Sequence, residues 1–481
     1  MAGLMKILFI ASEVTPFSKT GGLGDVAGAL PTALAGLGHD VKIVTPRYQD
    51  VRNTGQLLPT GQSLVLRFPF GETGGPILSA RLSERLEVLF LENEAFYGGR
   101  KGLYGDAGSE FADNPRRFAY LCVGALQAAQ RLRFFPDIIH LHDWQTGLVP
   151  VALRRGFQGT PLARAKCVFT IHNLAYQGQF PKRTMEDLGL PWDLFTPEGV
   201  EFYDHVNFLK AGLVYSESLT TVSPTYAREI QTPEQGYGLD GLLRRRSHAL
   251  TGIINGIDAH EWNPRTDSYL PARYGPEDMT GKAVCKRALL ERFGLPTEGN
   301  APVFGIVSRL AWQKGVDLLL ETLPAALQGD LKFVAVGNGD PTLEEGLRAL
   351  QARHPKQVGV HIGFDPELSH WVEAGSDFFL MPSRYEPCGL NQMYSLRYGT
   401  VPIVRATGGL VDTVEGGLDG NGILFESFHR SALLAAIRRA LSLYADPARL
   451  GDFQVRGMGK DFSWTASARK YEALFQSLVE E

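Results

Sequence analysis

Residues Phe378–Leu410 read FFLMPSRYEPCGLNQMYSLRYGTVPIVRATGGL, and this stretch decides the fold. Phe378–Met381 is a four-residue apolar run, short enough for a buried parallel strand. Pro382–Cys388 is a charged loop. Gly389 opens a helix that runs to about Tyr398, and Val401–Val404 is the next strand. Strand, loop, helix, strand is the repeating unit of an open α/β sheet, and the loop falls at the carboxyl edge where such sheets bind ligands. The amides of Gly389, Leu390 and Asn391, at the start of the helix, suit an anion. Glu386 beside them repels phosphate, so it suits sugar hydroxyls or a developing positive charge. Alone, the segment reads equally well as a helix start with a surface glutamate.

The same unit recurs upstream. Val303–Val307 is a strand that ends in SRLAWQKG, Ser308–Gly315. Arg309 and Lys314 fall between this strand end and the next helix, where two cations neutralise a pyrophosphate; the plainer reading is a cationic surface loop. Phe333–Val336 ends in Gly337-Asn338-Gly339-Asp340 and Val360–Ile362 in Gly363-Phe364. An aromatic ring at that edge can stack on a nucleobase. Arg405–Leu410, RATGGL, is a glycine turn.

The amino-terminal half repeats the pattern. Lys6–Ala11 is a strand, Val14–Asp25 a loop of small residues, and Val26–Leu37 a helix with Asp25 as its cap. Gly22, Gly24 and Gly28 miss the dinucleotide fingerprint by one residue, and Lys19 precedes the glycines, so this is no Walker loop. What remains is a glycine turn with a lysine, suited to a phosphate or a sugar hydroxyl, or else a simple strand-to-helix turn. Gln62–Phe70 and Ala80–Leu91 read as meander strands, Phe96–Asp106 as a long surface loop, and Asn114–Leu132 as an amphipathic helix. Ile138–Leu141 ends in His142-Asp143-Trp144-Gln145, Cys167–Ile171 in His172-Asn173, Leu219–Val222 in Ser223-Pro224, and Gly252–Ile254 in Asn255-Gly256. Asp143 reads as the cap of a helix Trp144–Arg155 or as a holder of sugar hydroxyls; His172 is structural or functional. Small or polar residues thus recur at the strand ends: Lys19, Asp143, His172, Ser223 and Asn255.

Trp262–Asp278 lacks periodicity and reads as a linker between the two halves. Lys282–Phe293 is a helix closed by Gly294, and Trp464–Leu478 an amphipathic helix that follows the second sheet. The expected domains are therefore 1–262, 263–461 and a carboxyl-terminal helix, 462–481, that packs back on the first.

The chain has 481 residues, 44% of them hydrophobic, enough for two or three domains. A formal charge of −4 argues against nucleic acid or a membrane surface as the main partner. The four cysteines, Cys122, Cys167, Cys285 and Cys388, form no CxxC pair and fit a reducing cytoplasm. Ile7–Ala11 is too short for the apolar core of a secretion signal. His140 and His142 lack a third ligand nearby, and neither Asp-x-Asp nor HExxH occurs, so no metal or other cofactor is expected.

Seven motifs in order carry a resemblance: KTGGLGDV (Lys19–Val26), HDWQTGL (His142–Leu148), TIHNLAYQG (Thr170–Gly178), NGID (Asn255–Asp258), SRLAWQKG, EPCGLNQ (Glu386–Gln392) and RATGGL. The chain resembles the bacterial glycogen synthases, relatives of the plant starch synthases. The resemblance implies two Rossmann-like domains facing across a deep cleft, the GT-B arrangement. It implies retaining transfer of glucose from ADP-glucose to the non-reducing end of glycogen or another α-1,4-glucan, without metal and in the cytoplasm; an oligomer is possible. By matching position, Lys19, Gly21 and Gly22 lie at the donor. Asp143 and His172 hold the glucose, with the His172 backbone facing the anomeric carbon, and Asn255 lines the same site. Arg309 and Lys314 bind the diphosphate, Phe364 lies against adenine, and Glu386 contacts the transferred sugar, with Cys388, Gly389, Leu390 and Asn391 completing the binding set. Three departures stand out from related retaining enzymes. Tyr394 replaces a second glutamate, as in glycogen synthases; Asn391 replaces Thr or Ser, which touches only the side-chain contact; Phe364 replaces Tyr and keeps the ring. A pyridoxal-dependent glucan phosphorylase and a glucan-binding protein on a dead transferase are the rival readings.

Overall fold

A computed structural model describes residues 3–54, 57–106 and 108–480. The chain divides into two compact units. The first comprises Met1–Val222, Ala227–Gly256 and Trp464–Glu481; the second comprises Ser223–Tyr226 and Ile257–Ser463.

In the first unit the strands are β1 (Lys6–Ile10), β2 (Asp40–Pro46), β3 (Leu58–Phe68), β4 (Gly71–Ser83), β5 (Leu86–Leu91), the short β6 (Gly105–Asp106) and β7 (Ser109–Glu110), β8 (Ile138–His142), β9 (Lys166–Ile171), β10 (Gln179–Pro181), β11 (Glu201–Phe202), β12 (His205–Asn207), β13 (Ser218–Thr221) and β14 (Leu250–Gly252). Nine of them form one sheet in the order β14-β13-β9-β8-β1-β2-β5-β4-β3. It is parallel from β14 to β5, and β4 and β3 extend it as an antiparallel hairpin. The parallel strands carry continuous apolar runs because both faces are covered. β8 is buried at every residue, and the carboxyl-terminal helix Trp464–Glu480 packs on Gly22–Gly36, the helix that follows β1. Its Tyr471 and Phe475 rings meet the His140 ring at 5.2 and 5.4 Å. The sheet order reverses between β1 and β8, a switch point of the kind at whose carboxyl edge open α/β sheets bind ligands.

The second unit holds β15 (Val303–Val307), β16 (Lys332–Gly337), β17 (Val358–Ile362), β18 (Phe378–Met381), β19 (Val401–Arg405) and β20 (Ile423–Phe425), all parallel, in the order β17-β16-β15-β18-β19-β20. Alternation along each strand feeds two separate cores. Phe304, Phe333, Phe378 and Leu380 point to the helices Val316–Ala326 and Arg430–Tyr444. Val303, Val334, Phe379 and Met381 point to Thr280–Arg292 and Pro366–Gly375. The switch point of this sheet lies between β15 and β18.

Several expectations need correction. Trp262–Asp278 is not a linker. Leu270 and Tyr274 are buried with Cys285, Ala374 and Tyr398, and Asp267 accepts hydrogen bonds from His370 (2.7 Å) and Tyr398 (2.6 Å). Trp262 is sandwiched between His370 and Tyr394, with ring centroids at 3.8 and 3.7 Å. The segment looks like a linker because its buried contacts are aromatic and polar rather than periodic. Phe96–Asp106 is not wholly a surface loop: Glu94–Gly98 is a π-helical turn that buries Phe96 and Tyr97. Ala80–Leu91 is two strands, broken after Ser83, and the last strand of the first sheet is Leu250–Gly252 rather than Gly252–Ile254.

Candidate active site

In the first unit the glycine motif does not precede a helix; it starts one. The helix spans Gly22–Gly36, so Asp25 lies in its first turn, and Gly21 is the cap. Asp25 instead pairs with Lys19 at 2.7 Å. The turn is held from below by Glu13, a buried carboxylate. Its Oε2 accepts the amides of Thr20 (2.5 Å) and Gly21 (3.2 Å), and its Oε1 accepts the hydroxyls of Thr20 (2.9 Å) and Tyr104 (2.7 Å). Space is open beyond Gly21 and Gly22, where an added Cβ meets nothing within 4 Å.

At the ends of β8 and β9 the structure brings Asp143, His142 and His172 together. Asp143 does not cap a helix: Trp144–Thr146 is a 3-10 turn ahead of the helix Val149–Gly156, and the carboxylate turns to the neighbouring strand. Its Oδ1 accepts the His172 amide at 2.7 Å. Asp143 has φ 55°, a strained value for a residue with a side chain. Loss of solvent pushes its carboxyl up to about 7, although the amides of His172 and Asn173 pull the other way. His142 Nδ1 lies 2.9 Å from His172 Nε2. Burial pushes His172 down to about 3, and burial with the neighbouring histidines holds His142 well below the ordinary imidazole value, so both rings are neutral. His140 donates to or accepts from Thr170 Oγ1 at 2.7 Å. Asn255 is buried, and its Oδ1 has no hydrogen-bond partner among the described residues.

In the second unit the loops after β15 and β18 meet. Lys314 Nζ lies 2.6 Å from Glu386 Oε2, and Ser383 Oγ donates to the same oxygen at 3.0 Å. Glu386 is buried and Lys314 partly so, whereas Arg309 is exposed at the end of β15. The helix after β18 is shorter than its pattern: it spans Asn391–Arg397 with Leu390 at the cap, and Gly389 stands outside it at φ 72°. Asn391 uses its side chain structurally, donating from Nδ2 to the Val307 carbonyl at 2.7 Å and so tying the β18 loop to β15. Cys388 is buried, and its carbonyl accepts from Gln392 Nε2 at 3.1 Å. The RATGGL turn packs backbone to backbone on the Glu386 loop. A Cβ on Gly408 would come 1.9 Å from the Glu386 carbonyl oxygen, and one on Gly409 2.1 Å from that of Cys388. Glycine is the residue that permits this approach. Phe364 is 84% exposed after β17.

Ser223 belongs with the second unit rather than with the strand ends of the first. Its Oγ donates to the Pro387 carbonyl at 2.7 Å, and Thr225 donates from both N and Oγ1 to Asp412 at 2.7 Å. Sequence reasoning missed Glu13, Ser383 and His142 as parts of these constellations. Among the described residues no group of three or more His, Cys, Asp or Glu is placed to hold a metal ion, and no helix is long and apolar enough to cross a membrane.

Comparison with known proteins places these features in context. Residues 6–245 match the family described as starch synthase catalytic domain, and residues 290–454 match glycosyl transferases group 1. The chain is 78% identical over 478 residues to a glycogen synthase of Myxococcus xanthus (strain DK1622), covering 99% of this chain and 100% of the relative. It is 53% identical over 480 residues to a glycogen synthase of Anaeromyxobacter sp. (strain Fw109-5), again covering 99% and 100%. Among solved structures, the catalytic domain of starch synthase IV from Arabidopsis thaliana, bound to ADP and acarbose, superposes with a TM-score of 0.91 at 34% identity, covering 100% of both chains. A sucrose-phosphate synthase from Thermosynechococcus elongatus shares the fold, with a TM-score of 0.62 at 19% identity over 99% of each chain.

Proposed function

Because the chain belongs to the glycogen synthase and starch synthase family of glycosyltransferases, we propose that it transfers glucose from ADP-glucose to the non-reducing end of an α-1,4-glucan with retention of configuration. The observation that carries this reading is the Lys314–Glu386 pair at the switch point of the second sheet. In this reading the lysine meets the leaving diphosphate and the carboxylate stands beside it. That the plant relative binds ADP and acarbose supports a nucleotide diphosphate and a glucan as ligands here.

Roles follow from the chemistry of each group. Asp143 and His172 hold the glucosyl hydroxyls, with Asn255 Oδ1 as a further acceptor; Lys19, Gly21 and Gly22 contact the donor. Arg309 and Lys314 neutralise the diphosphate, and Phe364 stacks on the base. Cys388, Gly389, Leu390 and Asn391 line the path of the phosphates. The bond from the anomeric carbon to the β-phosphate oxygen breaks, and its electron pair leaves with ADP. The acceptor's 4-hydroxyl oxygen bonds to the same carbon from the same face, and its proton passes to the departing phosphate oxygen. The centre is oxocarbenium-like in between, and fixed positive charge on the leaving side lowers that barrier. A nucleophilic Glu386 would instead form a glucosyl ester, and trapping a glucosyl-Glu386 adduct would decide for that route.

In this reading the cationic side chains replace a metal. Cys122, Cys167, Cys285 and Cys388 are buried thiols outside any disulfide among the described residues, which fits a reducing cytoplasm. The test is nucleotide release from ADP-glucose and from UDP-glucose with a glycogen primer, with and without EDTA. The proposal expects ADP release at an unchanged rate in EDTA and little UDP release. Absence of glucan-dependent ADP release contradicts it.

A further inference from the structure

Three tyrosines of the first unit stand in solvent around the loop that follows His172: Tyr203 is 77% exposed, Tyr176 55% and Tyr237 39%. The backbone beneath two of them is costly. β11 and β12 pair antiparallel through Phe202 and His205, so Tyr203-Asp204 is a two-residue hairpin loop, with φ 50° and 60°. Such loops favour Asn-Gly, because both positions lie in the left-handed region that side chains disfavour. Tyr237 has φ 48° and is followed by Gly238 at φ 80°. Non-glycine residues held in this region mark a purpose other than stability.

The tyrosines are also tied to the site. Buried Gln177 donates from Nε2 to the Tyr237 carbonyl at 3.1 Å, and its Oε1 accepts from Asn207 (2.7 Å) and Gln179 (3.0 Å). A Cβ on Gly238 would come 2.9 Å from Phe202 Cζ and 3.6 Å from Tyr203 Cε2, so the two turns lie against each other. The loop from His172 to Gly178, the hairpin and the Tyr237 turn are thus one braced piece. The neighbouring charges are already matched, since Lys182 Nζ lies 3.0 Å from Asp204 Oδ1.

We propose that Tyr203, flanked by Tyr176 and Tyr237, is a stacking platform for the glucose rings of an α-1,4-glucan chain, an acceptor subsite on the first unit. The identification rests on the proposed function. A neutral polymer offers no charge to pair, so its grip comes from C–H faces laid on aromatic rings and from hydroxyls near phenol oxygens. Such remote contacts secure the chain whose end reacts. Spending an unfavourable turn on an exposed ring is the expected signature.

The test replaces the costly dipeptide with the favoured one: Tyr203→Asn together with Asp204→Gly. The melting temperature is expected to stay the same or rise. Maltoheptaose affinity, measured by calorimetry without nucleotide sugar, is expected to fall about fivefold or more. Tyr203→Trp is expected to keep it within about twofold. Unchanged affinity in the double variant, an equal loss in Tyr203→Trp, or a wild-type protein that does not bind maltoheptaose overturns the platform. Because the binding assay uses no transfer chemistry, a protein that shows these losses yet releases no ADP supports the platform and overturns the proposed activity.

Discussion

Lys314 and Glu386, 72 residues apart in sequence, meet with Nζ 2.6 Å from Oε2 at the ends of adjacent strands, and Ser383 braces the same carboxylate oxygen. The pair is not a surface bridge, because Glu386 is buried. Lys314→Ala is expected to lower turnover roughly a hundredfold or more, as removal of a fixed stabilising charge does elsewhere. Glu386→Gln is expected to lower it as well. The double variant should lose less than the product of the single losses, because the single lysine deletion also strands a buried carboxylate. Rates of ADP release from the three variants check this; fully multiplicative losses would show that the two side chains act separately.

Asp143 is expected to give the reaction an acid limb. Burial pushes its carboxyl up to about 7, so its ionised fraction grows as pH rises through that value. If the carboxylate is what holds glucose, kcat/KM rises with pH and levels off above about 7. Asp143→Asn is expected to be slow and to lack that limb. Between the ordinary carboxyl range and about 7 the folded protein holds this proton more tightly than the unfolded chain. Asp143 therefore takes stability away as pH rises through that window.

The histidines behind the site act in the opposite sense. Burial and a neighbouring histidine push His140 down to about 3, and His172 falls likewise by burial. Below the ordinary imidazole value the unfolded chain takes up protons that the folded protein refuses. Stability is full above that value and is lost as pH falls from it towards about 3. Thermal melts from pH 7 to pH 4 should show this fall, and His140→Leu should flatten it, since Phe9, Tyr471 and Phe475 surround the ring. An equally steep fall in the variant would remove His140 from the explanation.

Gly408→Ala tests how the Glu386 loop is held. The new methyl would lie 1.9 Å from the Glu386 carbonyl oxygen at a residue with φ 48°. The second unit is expected to lose about 2 kcal/mol or more of stability, with reduced turnover because the loop must move. A denaturant titration and the ADP-release rate measure both; wild-type values in each would show that the turn has slack.

Much of this architecture is legible in the sequence. Short apolar runs ending in polar residues announce buried parallel strands, and the residue types after β15 and β18 mark those loops as candidate site loops. The register of meeting was not legible. Lys314 and Glu386 read as parts of neighbouring functions, and only strand order, with β18 beside β15, makes them partners. Glu13 was invisible because a buried carboxylate that serves backbone amides leaves no periodic trace. The Trp262 segment misled for a related reason: its stack with His370 and Tyr394 and the hydrogen bonds of Asp267 are long-range, so its local pattern resembles a loop.

The central claim is a division of labour: basic groups of the second unit take the diphosphate, and Asp143 and His172 of the first take the glucose. Calorimetric titration of ADP into wild-type, Lys314→Ala and Asp143→Asn proteins tests it most directly. The account predicts that Lys314→Ala loses ADP affinity tenfold or more while Asp143→Asn binds ADP like the wild type but no longer transfers glucose at a normal rate. Wild-type ADP affinity in Lys314→Ala would contradict it.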